Sequence, residues 1–207
     1  MIYNKQKKLL IMKIILSALL ISITTMLFAQ VPIGTYEGGL TLAYDNDTKT
    51  VTGYYENYAG FDARTGSPRF SCVFYLKGNF TEGIGDIITF YPGDEENYIN
   101  GKLKFYGDGI VSVKLDKEHG GCMNVQTFSD AFQQFQFSKL EEWKAVKYVK
   151  TDKAYFHNEK SDEARKKTYV VKNDIVYVEK IEGDWMFCAY IGKSTAKGWI
   201  KKSKLND

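Results

Sequence analysis

The chain has 207 residues, with 28 basic and 25 acidic side chains, 15 tyrosines, 13 phenylalanines, 18 glycines and three prolines. This aromatic-rich, proline-poor mixture favours strands joined by glycine turns over long helices or disorder. Four lysines and no acid lie within residues 1–29, so the other 178 residues hold 24 basic against 25 acidic groups. That balance argues against a nucleic-acid partner, which needs a surplus of positive charge on one face.

Residues 14–28, IILSALLISITTMLF, form an uncharged apolar run. Lys5, Lys7, Lys8 and Lys13 precede it, and Ala29 supplies the small residue of a cleavage site. This is the pattern of a secretory signal over residues 1–29. The run is shorter than the roughly 20 apolar residues of a spanning helix, so the competing reading of an uncleaved anchor is the weaker one. No cysteine sits at the cut, which argues against a lipoprotein. Met12-Lys13 opens a compact signal by itself, so the sequence leaves Met1 and Met12 both open as the start of translation. The expected location is periplasmic or secreted, with no stable membrane span after cleavage.

Eight strand-like segments follow, at 34–43, 50–57, 69–80, 86–91, 97–106, 110–116, 122–128 and 133–140. YDNDTK, between the first two, is rich in turn formers and reads as a hairpin. No stretch keeps a helical period; SDAFQQF (129–135) comes nearest, with Ser129 placed to cap one turn. Short strands at this spacing predict an all-β domain over residues 30–144, a small antiparallel barrel or sandwich.

Export implies an oxidising compartment, and Cys72–Cys122 is the natural bridge there. The chain-entropy argument assigns a loop of that length about 4 kcal/mol. Cys188 is left as a small hydrophobe, although an odd count leaves other pairings open.

Composition shifts near Trp143. KAVKYVKTDKAYF (144–156) opens a second unit, SDEARKK (161–167) is its polar loop, and TYVVK, IVYVEKI and WMFCAYI are short strands before the closing KGWI. Tyr169-Val170-Val171-Lys172-Asn173-Asp174, the Val176/Val178 alternation, Glu182-Gly183-Asp184-Trp185, Cys188, and Gly198-Trp199-Ile200 with Ser203 and Leu205 agree in order and spacing with one family. Residues 147–206 resemble the bacterial SH3-like (SH3b) domain of exported proteins, which sets the second domain at residues 145–207. The resemblance implies a small barrel with Val176, Val178 and Cys188 inward, Gly198 turning the chain at a corner, and a binding or spacing role. The family's Lys-Gly-Asp is here Lys172-Asn173-Asp174, and asparagine is the commonest non-glycine occupant of a left-handed turn. Ala154 to Asn158 depart from the opening strand of members that bind wall peptide or glycan.

Gly34-Thr35-Tyr36, Val51 to Glu56 and Phe80 resemble more faintly the strand rhythm of avidin-type and other calycin barrels. With no tryptophan before Trp143, only the barrel carries over. Small disulfide-bridged lysozyme-inhibitor domains are a second faint likeness.

His119 lies three residues before Cys122, but a Cys–His nucleophile needs a free thiol. With only His119 and His157, a histidine-based metal centre would need both units to converge, and zinc at His119 and Cys122 has too few ligands nearby. Asp45-Asn46-Asp47-Thr48 fits only half of a calcium-loop template and reads as a hairpin turn; Asp94-Glu95-Glu96 reads as a solvated acidic loop. No cofactor, metal or catalytic residue is expected. Tyr155, Phe156, Tyr177, Trp185 and Tyr190 are the aromatics from which an SH3-type groove would be built, with Tyr155, Tyr177, Trp185 and Tyr190 expected to touch ligand, Trp185 foremost; the equally weighted alternative is that most of them pack into the junction with the first barrel. The expected function is an exported, non-catalytic binding protein at the bacterial cell envelope, with a protein or cell-wall fragment as partner. One alternative is a periplasmic inhibitor or immunity-type protein that blocks a wall hydrolase through loops such as 60–68 or 92–97. The other is a hydrolase with an unrecognised carboxylate site.

Overall fold

The structure, a computed structural model, describes residues 31–81 and 83–207; the expected leader lies outside the described residues. The first eight strands are β1 (Gly34–Tyr36), β2 (Leu40–Asp45), β3 (Thr50–Ala59), β4 (Phe70–Thr81), β5 (Ile84–Phe90), β6 (Ile99–Gly107), β7 (Ile110–Leu115) and β8 (Gln133–Leu140). Each pairs antiparallel with the next, and β8 returns to β1 through Gly34↔Leu140 and Tyr36↔Phe137, so the sheet closes. A closed barrel, and not a sandwich, therefore fills the first half.

The strand count matches the sequence expectation by a different route. The segment 34–43 is two strands, because Gly38 (φ 77°) and Gly39 (φ 93°) adopt left-handed conformations and turn the chain between β1 and β2. The segment 122–128 is not a strand. It holds one 3-10 turn at Cys122–Asn124, with the Val125 and Gln126 N–H groups both returning to the Cys122 carbonyl. Ser129 caps no helix: its N–H and that of Phe128 both donate to Glu118 Oε1.

Alternation along the strands sends Phe74, Leu76 and Phe80 of β4 and Val111, Val113 and Leu115 of β7 to the interior. An eight-stranded barrel is just wide enough for side chains to fill or for one small ligand. Here rings fill it. Tyr55 stacks on Phe74 at 5.1 Å between centroids, and Phe128 meets both edge-on at 5.0 and 5.2 Å. Burial of each ring contributes on the order of 2–3 kcal/mol. Phe128 comes from the 116–132 connection, which folds back over one mouth. The Cys72–Cys122 disulfide ties this connection to β4, and Cys188 is a buried free thiol.

The second sheet has the order β11-β10-β14-β13-β12-β9, built from β9 (Ala145–Tyr148), β10 (Lys153–His157), β11 (Arg165–Val171), β12 (Ile175–Glu182), β13 (Trp185–Ile191) and β14 (Thr195–Lys201). β11 begins inside the expected polar loop. Val176, Val178, Cys188 and Ile200 form its core with Phe156. Gly198 turns no corner. It lies mid-strand in β14, opposite Cys188, and a Cβ there would sit 2.7 Å from the His157 carbonyl oxygen, so glycine is required by the close approach of β10. After β14 a 3-10 turn (Lys202–Lys204) brings Leu205 back to bridge Val149.

Val31–Asp207 form one compact unit. The two sheets share a cluster of Ala43, Tyr75, Phe90, Trp143, Val146 and Tyr148. Within it the Tyr75 hydroxyl donates to the Val146 carbonyl (2.9 Å) and the Val146 N–H donates to Thr52 Oγ1 (2.8 Å), so the polar groups buried on β9 have partners in the barrel wall. Among the described residues no helix is long and apolar enough to cross a membrane.

Candidate functional site

The five aromatics do not form one groove. Phe156 is fully buried in the core of the second sheet. The other four divide between an outward sheet face and a cleft against the barrel.

The face is set by register. Arg165 pairs with His157, His157 with Trp199, Trp199 with Phe187, and Phe187 with Lys180, so one row crosses β11, β10, β14, β13 and β12. Directly opposed residues share a face. In the next row Lys201 opposes Trp185, and beyond the first Tyr155 opposes Tyr169. The rings interlock: Phe187 meets Trp199 edge-on at 5.3 Å, and His157 meets Trp185 at 4.8 Å. Four cations lie over these rings. Lys153 is 4.6 Å from Tyr169, Arg165 is 4.8 Å from Tyr155, and Lys160 and Lys201 are each 5.4 Å from Trp199 and Trp185. Carboxylates complete the surface, with Glu182 pairing Lys160, and Asp162 pairing Lys201 at 2.7 Å. Such a face offers flat apolar area and mobile charges to a ligand.

Tyr177 and Tyr190 belong to the cleft. Tyr177 stacks on Trp143 with 4.1 Å between centroids. It lines the cleft with Tyr54 and Glu56 of β3 and with Tyr190. Burial foremost, and then the Glu56 carboxylate, push the Tyr54 hydroxyl's pKa up.

The other sequence candidates are accounted for structurally. His119 is buried, with Nε2 2.8 Å from Thr89 Oγ1 and its ring stacked on Phe74 at 5.1 Å. Cys122 is oxidised, so no thiol is available to it. Asp45 caps a hairpin turn by accepting the Asp47 N–H (2.9 Å) and the Thr48 hydroxyl (3.0 Å). Glu95 is not simply solvated. It accepts the Tyr148 hydroxyl and lies 3.8 Å from Lys77 Nζ, fastening loop 92–97 to β9. Loop 60–68 is ordered by Asp62 Oδ1, which accepts the N–H groups of Arg64 and Thr65, and it leaves Phe61 exposed. Among the described residues no group of three histidine, cysteine or carboxylate side chains is placed to hold a metal ion.

Trp199, Phe187 and Tyr169 were missed as surface aromatics. The signal was present: Met186-Phe187-Cys188 and Gly198-Trp199-Ile200 alternate, so the rings must face opposite to the buried Cys188 and Ile200. Tyr54 and Glu56 carried no such signal, because the residues that face them across the cleft, Asp174 onward, lie more than 100 residues further on. No protein-family model, curated protein or solved structure matches this chain.

Proposed function

We propose that this is an exported, non-catalytic binding protein acting at the bacterial cell envelope, with the second sheet as an SH3-like recognition module seated on a small barrel. The carrying observation is the outward row of Trp199 and Phe187, flanked by Trp185 and Tyr155 and overlaid by lysine and arginine. The filled barrel interior supports surface recognition over capture of a small molecule inside it. The Leu205–Val149 bridge, which brings the end of β14 back to the end of β9, supports the small closed assembly that an SH3-like module requires. The disulfide is compatible with an oxidising compartment.

The test is retention on immobilised protein, wild type against Trp185→Ala. Trp185 is only half-buried, so this variant should melt normally. The reading expects wall fragments or one envelope protein to be held by the wild type and lost by the variant. Equal retention by both, with both folded, would remove the face from the reading. A retained wall hydrolase whose activity falls on binding would favour the inhibitor alternative, for which the exposed Phe61 in loop 60–68 is the specific observation.

A further inference from the structure

A cleft of about 490 Å³ opens where the barrel wall meets the start of β12 and the end of β13. Thr41, Tyr54 and Glu56 line it from the barrel, and Asp174, Tyr177 and Tyr190 from the second sheet. Four tyrosines (Tyr36, Tyr54, Tyr177 and Tyr190) and two carboxylate residues therefore border one space, Tyr190 also packing against the core of the second sheet. Among the described residues, neither Glu56 nor Asp174 lies within ion-pair distance of a lysine, arginine or histidine. Glu56 accepts the Tyr54 hydroxyl at 3.2 Å, and Asp174 accepts the Val171 N–H at 2.8 Å through Oδ2. Both charges thus border the cleft without a countercharge. The Glu56 field reaches the second sheet as well, adding to burial in pushing the Tyr177 hydroxyl's pKa up.

The walls select among cations. Among the described residues no third carboxylate, histidine or cysteine joins the two to make a metal site, which favours an organic cation. Ring faces attract a cation carried on an alkyl stem, and a carboxylate then receives its N–H protons. We propose that this cleft binds a primary ammonium on an aliphatic stem, with the stem against Tyr54 and Tyr177 and the charge near Glu56 and Asp174. The ammonium comes either from a lysine side chain of a partner or from a free alkylamine. The proposal rests on the binding-protein reading above and names the chemistry that one surface of it would recognise.

Calorimetric titration of the protein with Nα-acetyl-lysine methylamide, cadaverine and the uncharged norleucine counterpart tests it. The two amines should bind and the norleucine compound should not. Glu56→Gln, isosteric and on an exposed side chain, should weaken amine binding roughly ten-fold, the factor expected for losing one charge-assisted contact. Tighter binding of the lysine derivative assigns the site to a protein partner, and tighter binding of cadaverine to a free amine; either supports the cleft. Tyrosine ring resonances of the wild type give a readout independent of any variant: shifts at Tyr54 and Tyr177 support the site, and shifts confined elsewhere overturn it. Absent binding of both amines, or unchanged affinity in folded Glu56→Gln, also overturns it. Envelope retention without amine binding would remove the cleft alone, whereas amine binding without envelope retention would remove the envelope reading alone.

Discussion

His119 Nε2 stands 2.8 Å from Thr89 Oγ1 inside the barrel mouth. The Thr89 hydroxyl donates to the Ile99 carbonyl at 3.3 Å, which leaves its oxygen free to accept from Nε2–H. The 116–132 connection is thereby pinned to β5 by an imidazole stacked on Phe74 and met edge-on by Tyr91.

This arrangement makes the mouth acid-sensitive. Burial lowers the His119 pKa from its ordinary 6.5 to about 4, partly opposed by Glu118. The unfolded chain then binds a proton between those values that the folded chain refuses. The stabilisation is complete above pH 6.5, falls as pH drops toward 4, and changes no further below it, a loss of up to about 3 kcal/mol. Melting curves from pH 7.5 to 4 should show a steeper fall for the wild type than for His119→Gln, which has no proton to gain. Parallel curves would mean that the imidazole is charged or solvated in the folded state.

The disulfide holds the same connection from the other side. Its closed loop spans a sequence separation of 50, so the Cys72→Ser/Cys122→Ser protein should lose about 4 kcal/mol in urea unfolding. A loss below about 1 kcal/mol would show that the residual unfolded chain is already constrained. Cys188 should stay unreactive to thiol reagents in the folded state, because burial pushes its pKa far up, and should react fully once unfolded.

Thr52 and Val146 test whether the two sheets unfold together. Thr52→Val leaves the Val146 N–H buried without its acceptor, at a cost of about 1–3 kcal/mol. Urea unfolding followed by tryptophan fluorescence and far-ultraviolet dichroism should give one transition, moved to lower urea in both signals. Two separated transitions would show that the second sheet melts off an intact barrel.

Asn173 occupies a left-handed conformation, φ 72°, in the turn between β11 and β12. Asn173→Gly should change stability by only a few tenths of a kcal/mol, while Asn173→Val should cost about 1–2 kcal/mol, since a β-branched side chain resists this conformation. Equal melting temperatures for the two variants would mean that the turn relaxes to another geometry.

Much of the all-β reading came from local chemistry. The Asp45–Thr48 turn and the Cys72–Cys122 bridge follow from turn preference and the expected redox compartment, whereas the left-handed Asn173 and the inward Val176, Val178 and Cys188 are implied by the resemblance of the second unit; each is present. The misses share a cause. A strand over 122–128 was locally reasonable, but the disulfide and the burial of Phe128 drew that segment into the mouth instead. Gly198 looked like a corner because glycine turns chains; here it makes room for the neighbouring strand's backbone.

By itself, the order of residues determined that strands form and which of their faces are apolar, because period-two alternation and turn chemistry act over a few neighbours. Only the tertiary structure decided that the sheet closes on itself, that rings fill it, and that Tyr177 and Tyr190 meet Tyr54 and Glu56 across a cleft. Those outcomes depend on contacts between distant segments, whose closure entropy is offset only when many of them form at once.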